Sequence, residues 1–120
     1  MSGLLISVAV LPAGDGMCSV VDLSGEADLT CVELREALTA EVAKKPRLIA
    51  VDMSALTFID SGALQMIVAA HRVMRGDGGT LALVSPPRAV TRVLELTGVS
   101  ETIAVCDSVD GAVRQALPPA

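Results

Sequence analysis

Short apolar runs alternate along this chain with longer stretches whose apolar residues recur every three or four positions. Leu4 to Leu11, Met17 to Leu23, Leu48 to Val51, Thr80 to Val84 and Thr102 to Cys106 have the length and content of strands. Helical stripes separate the later ones. Leu34, Ala37, Leu38 and Val42 form one, and Leu64, Ile67, Val68 and Met74 belong to a second. Val90, Val93 and Leu94 make a third, and Val109, Ala112, Val113, Ala116 and Leu117 a fourth. The turn around Gly14-Asp15-Gly16 joins the first two strands as a hairpin. Strands that alternate with helices pair in parallel, because a parallel neighbour needs a crossover that a helix supplies. The expected architecture is therefore α/β: a small mixed sheet of four to five strands flanked by about four helices. With 120 residues the chain is expected to form a single domain over residues 1–120, large enough to hold a core without metal or disulfide staples.

Local signals place the boundaries. Ser24-Gly25 breaks the second strand. Thr30 with Glu33 fits a capping box, and Leu29 with Leu34 a hydrophobic staple; Glu36, Glu41 and Lys45 then face water. Asp52 to Asp60 reads as a connection. A second helix follows from about Ser61 to Arg75, apolar nearly all round, so it is either deeply buried or keeps a face for a partner. Gly76-Asp77-Gly78-Gly79 ends it. Ser85-Pro86 reads as a cap with a first-turn proline, and Gly98 stops that third helix. Asp107 or Ser108 caps the closing helix, which Pro118-Pro119 ends.

Composition removes several function classes. Apolar residues make up 52% of the chain, which excludes intrinsic disorder, yet Phe58 is the sole aromatic. The core must be aliphatic, and no stacking platform exists for single-stranded nucleic acid. The net charge is −5, and Asp15, Asp22, Glu26, Asp28 and Glu33 all precede the first base, Arg35. Without a basic stripe a nucleic-acid partner is disfavoured. A basic protein partner for the acidic first third, or simple solubility, accounts for the asymmetry. Cys18, Cys31 and Cys106 are odd in number, far apart and without ligand spacing, so neither metal nor redox pair is indicated; buried thiols in a cytoplasmic protein are expected. The uncharged opening lacks the basic segment and cleavage site of a signal peptide, and no run is long enough for membrane insertion.

No catalytic constellation stands out, and no cofactor is implied. His71, the one histidine, lies mid-helix and reads as a helix-surface residue, without a nucleophile at an evident spacing. The glycine run at 76–79 follows a helix and precedes a strand, the reverse of a phosphate-cradling loop. Asp60-Ser61-Gly62-Ala63 is different. It begins the apolar second helix, where free backbone N–H groups favour an anion and a phosphoserine would bring about −1.5 to −2 charge. The plain structural reading is that Asp60 or Ser61 caps the helix. Nearby Leu64, Ile67 and Val68 are candidates for an interface around it.

Three motifs together resemble one family. Val51-Asp52-Met53-Ser54-Ala55-Leu56-Thr57-Phe58-Ile59-Asp60-Ser61-Gly62-Ala63-Leu64 is similar to the signature of the STAS domain of bacterial anti-sigma factor antagonists. Gly25-Glu26-Ala27-Asp28 resembles that family's Gly-Glu-apolar-Asp segment. Leu94-Glu95-Leu96-Thr97-Gly98-Val99 resembles its segment at the third helix. The resemblance implies a STAS-like fold and a regulatory role, not an enzyme. Such an antagonist binds an anti-sigma factor that is also a serine kinase, freeing a sigma factor for transcription. Phosphorylation of the serine after the Asp, here Ser61, breaks the complex, and a serine phosphatase resets it. Asp28, Asp60, Ser61, Gly62 and Leu64 are the implied partner-binding residues. In the family a small residue and then glycine follow the serine; here glycine comes one place early, at Gly62, with an expected change in flexibility around Ser61. The alternative is a STAS-type accessory subunit of a membrane transporter, a lipid-transport ABC complex, with the apolar second helix docked on an ATPase and no phosphoswitch.

Overall fold

The computed structural model describes residues 3–116. Five strands, β1 (Leu4–Ala13), β2 (Gly16–Ala27), β3 (Leu48–Ile59), β4 (Thr80–Val84) and β5 (Ala104–Cys106), lie in the order of the chain. β1 runs antiparallel to β2, and the remaining neighbours are parallel. The helices are α1 (Val32–Ala43), α2 (Ser61–Gly76), α3 (Arg88–Thr97), the single turn α4 (Val99–Thr102) and α5 (Val109–Ala116). The mixed-sheet α/β expectation is met, with the short α4 as the extra helix.

Leu48, Ile49, Ala50 and Val51 of β3 are fully buried, as an unbroken apolar run requires when both faces of its strand are covered. On one face Val21, Leu23, Ile49, Val51, Leu81 and Leu83 pack against Leu34, Leu64, Ile67, Met74, Val90 and Leu94 from α1, α2 and α3. On the other, Val20, Leu48, Ala50, Ala82 and Val84 meet Ala112 of α5. Cys18, Cys31 and Cys106 are buried free thiols, and burial pushes Cys18 and Cys106 above the usual thiol range.

Several local expectations are corrected. β2 does not stop at Ser24-Gly25, and residues 52–59 are not a connection. Both strands continue as a pair, with register shifts between Asp22 and Ser24 and between Gly25 and Glu26. Gly25 holds a φ of +101°, and a Cβ there would lie 2.0 Å from the Gly3 carbonyl oxygen, so the irregularity needs glycine. β4 leaves β3 at Asp52, whereas β2 accompanies it to Ile59. The result is an arm of the sheet that extends the molecule to 42 × 25 × 23 Å and carries Asp28 and Asp60 just past its ends.

At α1 the capping box does not form. Cys31 is the cap residue, and the Thr30 hydroxyl instead donates to Asp28 Oδ1, a carboxylate two residues upstream. Leu29 is 62% exposed rather than stapled, and Glu41 is buried, its Oε2 paired with Lys44 at 2.9 Å. α3 starts only at Arg88, because Pro87 is its cap residue with extended backbone (φ −66°, ψ 166°), and a residue before proline, as Pro86 is, disfavours helical geometry. His71 is buried, not on the helix surface. Ser108, of the two candidates, caps α5, its Oγ accepting from Gly111 N at 2.9 Å. The expected stop at Pro118-Pro119 and the core role of Leu117 lie outside the described residues.

Candidate functional site

The end of the sheet arm meets the start of α2. Asp60 is the N-cap residue, with extended backbone (φ −101°, ψ 172°) and Oδ1 accepting from Ala63 N at 2.8 Å. Its second oxygen, Oδ2, accepts from Leu29 N at 3.2 Å, and its own N–H donates to the Ala27 carbonyl at 3.0 Å. One carboxylate thus opens α2 and fastens the 28–31 loop to it. Because Asp60 does the capping, Ser61 does not have to. Ser61 is exposed at the first helical position, and among the described residues its hydroxyl has no hydrogen-bond partner.

Asp28 stands half-buried at the end of β2. Its Oδ1 accepts from the Thr30 hydroxyl and from Thr30 N at 2.9 Å, and these bonds hold its carboxyl below the usual range. Cys31 Sγ, 3.6 Å away, adds a weaker contact. Asp28 and Asp60 are joined through the loop between them, so the structure brings these two together with Ser61 at one end of the molecule.

Gly62 is explained by packing. A Cβ at this position would lie 2.3 Å from Leu29 Cβ, so only glycine lets the 28–31 loop rest on the first turn of α2. The early glycine is a packed helical residue, not an added hinge beside Ser61. Leu64 differs from its expectation: it is 1% exposed and faces the core, so a direct partner contact is not open to it. Ile67 is equally buried, and Val68 is half-buried.

Two apolar side chains that the motifs did not single out stand in solvent here. Leu29 is one, and Phe58, 48% exposed near the end of β3, is the other. Leu29 also closes one end of a groove of about 590 Å³ between α1 and α2, lined by Leu38, Val42, Met66, Ala69 and Val73 among others. A lone aromatic next to the Asp60-Ser61 pair was the only sequence hint. No group of three or more potential metal ligands occurs among the described residues. His71 Nδ1 has no hydrogen-bond partner there, and burial, with Arg75 nearby, lowers its pKa; it does not belong to this end of α2.

A serine hydroxyl free at a helix start, two fixed carboxylates and exposed apolar side chains thus meet at this end of the molecule. The STAS domain family described as "Mlab, STAS domain" matches residues 10–113, and the chain belongs to it. It is 27% identical over 108 residues to the anti-sigma-F factor antagonist RsfB of Mycobacterium tuberculosis, covering 89% of this chain and 88% of that protein. The crystal structure of an anti-sigma factor antagonist from Mycobacterium paratuberculosis is 31% identical, with a TM-score of 0.78 over 93% of this chain and 94% of that one. A Thermotoga maritima protein described as a "putative anti-sigma factor antagonist" is 26% identical, with a TM-score of 0.77 and coverage of 92% and 93%. These relatives are regulatory proteins by name. Among the described residues no helix is long and apolar enough to cross a membrane.

Proposed function

We propose that this chain is an anti-sigma factor antagonist that binds an anti-sigma factor serine kinase through the Ser61 end, releasing a sigma factor. Phosphorylation of Ser61 switches it off. The kinase moves the γ-phosphoryl group of ATP to Ser61 Oγ, ADP leaves, and the hydroxyl proton is lost to solvent. A serine phosphatase hydrolyses the ester with water, returning the hydroxyl and inorganic phosphate. The observation that carries this reading is the division of labour between neighbours: Asp60 caps α2 and leaves the Ser61 hydroxyl exposed.

The switch acts in the complex. A phosphate at a helix start is tolerated by the free domain, since the dipole favours it. Across an interface it meets any acidic side chain of the partner. Two unit charges 5 Å apart at an effective dielectric near 20 repel by roughly 3 kcal/mol, about a hundredfold in affinity. Asp28, Asp60, Ser61 and Gly62 form the contact, with exposed Leu29 and Phe58 as its apolar part in place of Leu64. Titration of the partner with the unmodified, phosphorylated and Ser61→Asp proteins tests the reading. A large loss of affinity on modification is expected, and equal dissociation constants overturn it. Mass spectrometry after incubation with kinase and ATP must find the phosphate on Ser61.

The reading as a transporter accessory subunit has one feature in its favour, the family description that the chain matches. Leu64 and Ile67 of α2 face the core, so docking of this helix would fall on Met66, Ala69 and Val73 beside the α1–α2 groove. An ATPase partner recovered with wild type and Ser61→Asp alike would favour it.

A further inference from the structure

β1 is the outer strand of the sheet, and among the described residues it is left without the usual protection. It is ten residues long, whereas the opposite edge, β5, has three. No charged residue occurs between positions 1 and 14, although the chain carries a net −5. Leu5 is 74% exposed, and Val8, Val10 and Leu11 between 41% and 48%. Natural edges of this length normally carry a lysine, a bulge or a covering element. Here Pro12 is the only such device, near one end, and the β1–β2 register runs from Leu4 to Ala13 without a shift.

The direction of the backbone groups fixes what this edge can take. The Gly3 carbonyl accepts from Glu26 N at 2.9 Å, so the odd-numbered residues exchange hydrogen bonds with β2. The N–H and C=O groups of Ile6, Val8 and Val10 therefore point outward, and Pro12, next in that series, has no N–H to offer. This set is symmetric about Val8. In an antiparallel pairing of two copies centred there, Val8 bonds to its own counterpart and Ile6 to Val10 of the other copy. On the α5 face, Ser7 opposes Ala9 and Leu5 opposes Leu11. Every cross-strand pair from 5 to 11 is uncharged.

We propose that β1 is a self-association edge, and that its occupant is β1 of a second copy, paired antiparallel across a two-fold axis at Val8. The two five-stranded sheets become one continuous sheet. Charge supports a second copy. The nearest acid on a neighbouring strand is Asp22, opposite Ser7, and the two β2 strands lie three strand spacings apart, about 14 Å. That exceeds the screening length of about 8 Å at physiological salt, so self-repulsion across the seam is weak. The seam is smaller than the roughly 800 Å² per partner of a standard interface, so a reversible dimer is expected. The inference does not depend on the partner assigned to Ser61.

Sedimentation velocity from about 1 to about 500 µM brackets an affinity of that kind. The wild type should shift from monomer to dimer with concentration. Val8→Lys and Val8→Glu each place like charges on the axis and should weaken association at least about tenfold, while an equimolar mixture of the two should recover it. Ser7→Cys mixed with Ala9→Cys should crosslink on oxidation, because a non-hydrogen-bonded pair holds its Cα atoms about 4.5 Å apart, within disulfide range. Either single variant should crosslink far less. Circular dichroism checks that the Val8 variants are folded; if they are not, the cysteine pair decides. A wild type that stays monomeric throughout, a dimer indifferent to the Val8 charges, or absence of the mixed crosslink overturns the proposal. So does a β1 edge that binds a foreign peptide strand but not itself.

Discussion

Asp60 shows how one side chain sets the chemistry of its neighbour. By taking Ala63 N on one oxygen and Leu29 N on the other, it fixes a helix start and a loop and leaves the next hydroxyl exposed. Asp60→Ala should lower stability by about 1–2 kcal/mol, the usual range for a lost cap, as read by urea unfolding. Gly62→Ala should be worse than its helix propensity suggests, destabilising by about 1–3 kcal/mol, because the new Cβ meets Leu29 Cβ. Leu29→Ala keeps that Cβ and should not rescue the variant, whereas Leu29→Gly should recover part of the loss. The Asp60-Ser61 pair was legible in the sequence because capping is local. The contact of Gly62 with residue 29 joins segments 33 positions apart, and no spacing rule points to it.

Among the elements, α2 illustrates where pattern reading fails. Its apolar residues run nearly all round, so periodicity could not say which face packs; the sheet decides, burying Leu64, Ile67, Ala70, His71 and Met74. His71 is therefore a buried base held neutral, chiefly by desolvation and then by Arg75. The folded protein resists its protonation while the unfolded chain accepts the proton near the ordinary value of 6.5. Its contribution is thus complete above 6.5 and is lost as pH falls below it. Denaturant midpoints measured between pH 7.5 and 5 should show that loss in wild type and a flatter profile in His71→Leu. Asp22, half-buried and opposite Asp52 in the register, has its pKa raised, first by desolvation and then by that neighbour. Its charge opposes folding, and the penalty develops as pH rises above 3.8. Asp22→Asn should accordingly raise the melting temperature at pH 7, with the gain vanishing near pH 3. Both carboxylates sit where β2 and β3 continue beyond the rest of the sheet. Asp52 opens the segment after Val51 that reads as a connection, whereas Asp22 does not keep Met17 to Leu23 from reading as a strand.

Across the whole molecule charges separate only in part, because Lys44 and Arg47, before β3, are paired with Glu41 and Asp15. Asp28 and Asp60 stand at the far end of the sheet arm, while Lys44, Lys45 and Arg47 precede β3 at the other. A phosphate on Ser61 adds to the acidic end. Ser61→Asp should leave the melting temperature within a few degrees of wild type, because the dipole gain of about 0.3–1 kcal/mol is offset by Asp60 beside it. Partner affinity is the quantity expected to fall. A melting temperature that drops with affinity would mean the switch works by unfolding instead.

The alternation of runs and stripes, the aliphatic core, the helix start at Asp60 and the family signature were all present in the residues themselves. Each depends on neighbours within a few positions, where backbone geometry and side-chain chemistry act directly. The tertiary structure alone decided which side of α2 is hidden, why residue 62 has no side chain, how far β2 and β3 run, and that β1 faces outward uncovered. Those depend on segments distant in the chain, whose approach is set by packing the whole sheet and its helices at once.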